Sequence, residues 1–222
     1  MHTPRSLRSH TLLAVAALAL AAGAQAADYT VYATPAAWQA AVGGPVLMED
    51  FDGYASGTFM SGVEFLPGVS ATTSAAPLRV VANYQGEKFL FHFGSVDMGE
   101  VVHYDVTLTL PYRAVALDIA AFEADPGQPS SAAGPGVLTV TFADATTAQF
   151  DIAGNPTGSP VFFGITASHS ITGMRWTEPL EYDGYSEETG LDNFRVAAVP
   201  EPASLAMGLL GLGVLALRLR RR

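Results

Sequence analysis

Between two apolar ends, the chain repeats one pattern: short runs in which apolar and polar residues alternate, set apart by turn-forming residues. The clearest run is Val102-His103-Tyr104-Asp105-Val106-Thr107-Leu108-Thr109-Leu110. A period of two puts every second side chain on the same face, which is the geometry of a half-buried strand and not of a helix. Comparable runs cover Val46 to Phe51, Gly62 to Phe65, Leu78 to Asn83, Phe89 to Phe93 and Arg113 to Ala121. They continue in Val137 to Phe142, Ala148 to Ile152, Val161 to Ala167, Ile171 to Thr177 and Leu191 to Val196. Tyr29 to Tyr32 is a further short strand.

One segment breaks the pattern. Pro35 to Val42 reads as a short helix, with Thr34 placed to cap the first turn, proline at the first helical position and Gly43-Gly44 to end it. Leu138, Val140 and Phe142 face Phe150 and Ile152 across Asp144-Ala145, which reads as a hairpin. Asp125 to Gly136, rich in Gly, Pro and Ser, reads as a long loop, because strands of the same style resume after it. About eleven strands and one helix predict a mainly β domain, an antiparallel β-sandwich of jelly-roll type with one short N-terminal helix.

The ends obey different physics. Arg5 and Arg8 precede an apolar stretch from Thr11 to Ala22, and Ala24-Gln25-Ala26 fits a small-x-small cleavage site, so residues 1–26 read as a signal peptide. At the other end, Ala203 to Leu217 carries no charge and as a helix would span roughly 22 Å. That is short against a hydrocarbon core of about 30 Å, but arginine stems can reach the headgroups and recover some length. Arg218, Arg220, Arg221 and Arg222 would hold the C-terminus on the cytoplasmic side. The expected division is therefore 1–26 signal peptide, 27–198 β domain and 199–222 membrane tail, with a transmembrane helix over 203–217.

The tail opens on Val199-Pro200-Glu201-Pro202. This order of Pro-Glu-Pro, one hydrophobic segment and terminal arginines resembles the PEP-CTERM sorting signal of Gram-negative bacteria that make extracellular polysaccharide. The resemblance implies export, retention in the inner membrane, cutting at the Pro-Glu-Pro site by the membrane protease-transpeptidase exosortase, and passage to the envelope, surface or matrix. The body also looks like those carried by PEP-CTERM proteins, in Ala36-Ala37-Trp38, Glu49-Asp50-Phe51-Asp52-Gly53, Gly62-Val63-Glu64-Phe65, Phe162 to Thr166 and Leu191 to Val196.

Without its ends the domain has five basic residues against 20 carboxylates, a formal charge of −15. Such a surface repels nucleic acid and anionic membrane and favours divalent cations. Cysteine is absent, so an exported domain must rely on its core, with or without a metal.

Three constellations could carry chemistry. Asp50 and Asp52 share a face near the end of the first core strand, and Asp192 lies on the last strand. First and last strands of jelly rolls often pair, so these carboxylates could offer Ca²⁺ the hard oxygens it takes, as a structural site. Glu178 to Asp192 is an acidic loop holding Glu178, Glu181, Glu187 and Glu188 with Tyr182, Asp183 and Tyr185, next to Trp176. Aromatic rings stack on sugars and carboxylates accept from their hydroxyls, which makes Trp176, Tyr182, Asp183 and Tyr185 candidate glycan contacts. The loop fails the calcium-loop template, and as plain structure it is a solvated acidic turn.

Paired carboxylates for glycoside hydrolysis are available, but their number discriminates nothing. His92, His103 and His169 are scattered, and no nucleophile elbow or zinc helix occurs. No regular threonine array runs along the chain, and ice binding is not expected. The expected function is a non-catalytic exported surface or matrix protein that binds polysaccharide or calcium; the alternative is an extracellular hydrolase of matrix glycans.

Overall fold

The computed structural model describes residues 27–197, apart from 76, 83–86, 93–96, 126, 127, 129 and 130. The signal peptide and the transmembrane helix expected over 203–217 lie outside these residues. Among the described residues no helix is long and apolar enough to cross a membrane.

Two antiparallel sheets form the body. One has the order β1 (Tyr29–Tyr32), β11 (Val161–Ala167), β8 (Ala114–Ala120), β13 (Gly190–Ala197), β6 (Lys88–His92) and β5 (Leu78–Ala82), with β2 (Leu47–Glu49) also paired to β13. The other runs β10 (Thr147–Ile152), β9 (Gly136–Phe142), β12 (Ile171–Thr177), β7 (His103–Leu108), β4 (Val69–Thr73) and β3 (Glu64–Leu66). Between them lies one apolar core that includes Phe51, Tyr104, Phe122, Phe142, Phe163, Trp176 and Phe194. This is the β-sandwich expected from the alternation.

The helix α1 (Pro35–Val42) forms as its ends dictate. Thr34 Oγ1 accepts from the Ala37 amide at 3.3 Å, and Gly43 closes the helix in the left-handed region at φ 61°. Trp38 anchors it to the outer side of the larger sheet, where Nε1 donates to the Ile165 carbonyl at 3.1 Å. Residues beneath the ring are small. A Cβ on Gly164 would approach the Trp38 ring to 2.7 Å, and Ala114 and Ala116 complete the seat. Cover on both sides explains why β8 is buried along its whole length and does not alternate.

β4 is a strand that the alternation reading missed. It follows the turn at Pro67-Gly68, and its inward residues are only Val69 and Ala71. The β9–β10 hairpin falls where expected, with Thr147 opposite Thr141 and Ala145 at φ 65° in the turn.

The smaller sheet leaves its outer face uncovered by any described helix, and its register aligns polar residues from separate strands. Gln149 lies opposite Thr139, Thr139 opposite Arg175, Arg175 opposite Asp105, and Asp105 opposite Thr72. In the adjacent row Thr141 and Thr107 flank Gly173.

Candidate functional site

The first candidate region gathers around the middle of β13. β2 pairs with β13, with Glu49 opposite Phe194, so the expected first core strand does meet the last one. Beyond Glu49 the chain turns sharply. Glu49 accepts from the Phe51 amide at 2.8 Å and Asp50 from the Asp52 amide at 3.1 Å. Phe51, at φ 58°, drives its ring into the core against Phe65. Lys88 Nζ donates to the Asp52 carbonyl at 2.7 Å.

Asp192 is only 9% exposed and stands directly opposite Asp118 of β8. Its carboxylate accepts from the backbone and side-chain amides of Asn193 at 2.6 and 3.1 Å. Asn193 has φ 47° within an irregularity that shifts the register before Arg195. Burial pushes the Asp192 carboxyl up to about 7; the Asn193 amide opposes this, and the charges of Asp118, Asp52 and Asp50 add to the rise.

Asp118 is raised by burial too, but the Arg195 guanidinium, at 3.3 Å, counters that. Asp118 was absent from the sequence candidates, because a strand buried on both faces carries no alternation to mark it.

Asp192 also opens onto a cleft of about 470 Å³, together with Glu87, Glu123, Phe89, Thr157 and Ser159. Ala121, another non-glycine residue with positive φ, lines the same cleft. Thus the structure brings Asp50, Asp52 and Asp192 within reach of one another's charge. Among the described residues, however, no three His, Asp or Glu side chains are arranged so as to hold a metal ion.

The acidic loop divides into a buried base and an exposed tip. Trp176 is 1% exposed: it lies in the core, edge-on to Phe122, and Nε1 donates to Thr189 Oγ1 at 2.7 Å. Its placement on an exposed glycan surface is therefore corrected. It sits two residues after Met174 on the inward face of β12.

Glu178 is buried as well. It accepts from the Thr189 amide at 2.9 Å, Thr189 Oγ1 at 2.7 Å and Ser186 Oγ at 3.0 Å, and it lies 3.6 Å from His92 Nε2. Tyr104 ties the same turn down by donating to the Thr189 carbonyl at 2.5 Å. Glu187, 3% exposed, accepts from the Glu123 amide through Oε1, while Oε2 finds no hydrogen-bond partner among the described residues. Burial pushes it up to about 8, with the charges of Glu181, Glu178 and Glu123 adding to the rise.

At the tip, Tyr182 and Tyr185 are 52% and 42% exposed, and Asp183 is exposed between them. Glu181, raised to about 7 by burial and then by Asp183, lies just before them.

The C-terminal segment decides the address. Residues 198–222 match the PEP-CTERM protein-sorting motif. This chain carries a PEP-CTERM signal. The motif belongs to exported proteins that exosortase, a membrane enzyme, processes on their way to the cell envelope or beyond. No curated protein matches the chain. The PEP-CTERM segment covers only the tail, so it speaks for sorting, and the chemistry of the body rests on the residues above.

Proposed function

We propose that this is a non-catalytic surface or matrix protein of a Gram-negative bacterium whose β-sandwich, of jelly-roll type, binds extracellular polysaccharide. Before processing, residues 203–217 hold it in the inner membrane with Arg218, Arg220, Arg221 and Arg222 inside; exosortase then cuts at Val199-Pro200-Glu201-Pro202. The observation that carries the reading is the PEP-CTERM match at 198–222, which supports export of the body to the cell envelope or beyond. The body's charge of −15 fits a hydrated matrix and argues against nucleic acid as a partner. A divalent cation is the second ligand of this reading. Burial is the main cause that raises Asp192, and calcium near Asp50, Asp52 and Asp192 would offset the charge that the neighbouring carboxylates add to it. A glycan array probed with the full chain, with and without calcium, tests both ligands; no binding to any polysaccharide would refute the polysaccharide reading.

One observation favours a hydrolase as the second reading. A carboxyl raised to about 7, Asp192, shares a cleft with Glu87 and Glu123, and glycoside hydrolysis uses a pair of carboxyl groups of which one is a proton donor with a raised value. Release of reducing ends from a bound polysaccharide, lost in Asp192→Asn, would establish it; intact polysaccharide after prolonged incubation would exclude it.

A further inference from the structure

We propose that the polysaccharide lies on the outer face of the smaller sheet, in a groove across β10, β9, β12 and β7, and that the chain it takes there is neutral and hydroxyl-rich. This rests on the reading of the body as a polysaccharide binder and names the surface that does it. The groove encloses about 860 Å³ and lies over Gly173, whose missing side chain lowers the floor between Thr141 and Thr107. Along it, Gln149, Thr139, Arg175 and Asp105 stand opposite one another on four successive strands. Strands about 4.8 Å apart space these groups over roughly 14 Å, enough to engage several sugar units in a row.

Charge selects the ligand. The body carries −15, yet among the described residues the charged side chains lining the groove are just Arg175 and Asp105, joined by two hydrogen bonds of 2.7 and 3.0 Å. The pair cancels itself, so neither an anionic chain nor a cation finds a free partner there. What remains is a set of threonine hydroxyls and the Gln149 amide, which both donate and accept, as sugar hydroxyls do.

Stiffness supports the same reading. A sheet face kept merely soluble can be built from Lys and Glu, which are absent from this groove. Threonine is restricted at χ1, and the Arg175–Asp105 fork is already fixed, so little side-chain freedom is lost when a ligand arrives. The acidic loop tip and the Asp192 cleft, by contrast, both carry carboxylates, Asp183 and Asp192, that accept from amides of their own loop or strand.

The test compares three forms of the full chain by glycan array and titration calorimetry, with neutral and anionic polysaccharides as probes. Thr139→Ala with Gln149→Ala alters the groove at two solvent-facing positions, and Tyr182→Ala with Tyr185→Ala alters the loop tip. The expected result is neutral-glycan affinity reduced about tenfold or more in the groove variant, an unchanged melting curve, and wild-type binding in the loop variant. Loss in the loop variant with retention in the groove variant overturns the proposal but leaves polysaccharide binding standing. A wild-type preference for anionic chains also overturns it. Failure of the wild type to bind any polysaccharide overturns the functional reading itself.

Discussion

Asp118 and Asp192 face each other across the β8–β13 pair, and among the described residues the Arg195 guanidinium pairs with Asp118. Burial penalises the ionised form of Asp192, and a like charge directly opposite in the sheet adds to that cost. Asp192 resolves the conflict by holding its proton, with its carboxyl raised to about 7 from an ordinary 3.8. A raised carboxyl favours the folded state most below its unfolded value, and that contribution is lost as pH rises through the folded value. Wild type should therefore lose stability between about pH 4 and pH 8 at this site. Asp192→Asn should flatten that part of the profile and raise the melting temperature above pH 7. Melting curves across this range check it, and an identical pH slope in the variant would contradict it.

The calcium proposed as a second ligand is tested at the same carboxylates. A ligand bound only by the native state adds about 2.7 kcal/mol at a hundredfold excess over Kd, which is several degrees in melting temperature for a domain of this size. The expected outcome is such a rise in wild type and a clearly smaller one in Asp192→Asn or Asp50→Ala. Equal shifts in all forms would place the cation elsewhere.

Glu187 makes a parallel case at the base of the acidic loop. Its Oε2 has no hydrogen-bond partner among the described residues and its carboxyl is raised to about 8, so its stabilising contribution, too, is lost as pH rises through that value. Glu187→Gln keeps the acceptor for the Glu123 amide and removes the charge. It should melt higher than wild type at pH 9 and near wild type at pH 5. Hydrogen exchange of residues 178–189 should slow in parallel at the higher pH. A variant that is less stable at pH 9 would show that the ionised carboxylate is favourable where it sits.

The hairpin turn offers a test free of charge effects. Ala145 has φ 65°, a conformation that costs an L-residue with a Cβ roughly 1 kcal/mol or more. Ala145→Gly should raise stability by about 1 kcal/mol, less the entropy that glycine adds to the unfolded chain. Chemical denaturation measures this directly, and a clear loss of stability would mean that the turn is not left-handed in solution.

Much of the sandwich was legible because alternation reports a face buried on one side only. β11 and β12 lie where the alternating runs ended, and α1 lies between the cap and the glycine that mark it. Legibility failed where that premise failed. β8 is covered by α1 and Trp38, so Asp118 carried no periodic mark, and β4 has only Val69 and Ala71 to announce an inward face. Trp176 was readable in principle, since Met174 two residues earlier shares its face, but its nearness to the acidic loop was the stronger cue. The threonines of the outer sheet were invisible along the chain, because register assembles them from strands far apart in sequence and Arg175 and Asp105 interrupt them.

Sorting by the C-terminal segment can be followed in cells. The full chain, its Glu201→Ala variant and a chain lacking residues 199–222 would be expressed in cells with and without exosortase. The mass and the membrane, surface or medium location of each product would then be determined. The expected outcome is a shortened wild-type product at the surface or in the medium only where exosortase is present, with the Glu201→Ala variant left longer and in the membrane. Surface delivery of the tail-less chain identical to that of wild type would contradict it.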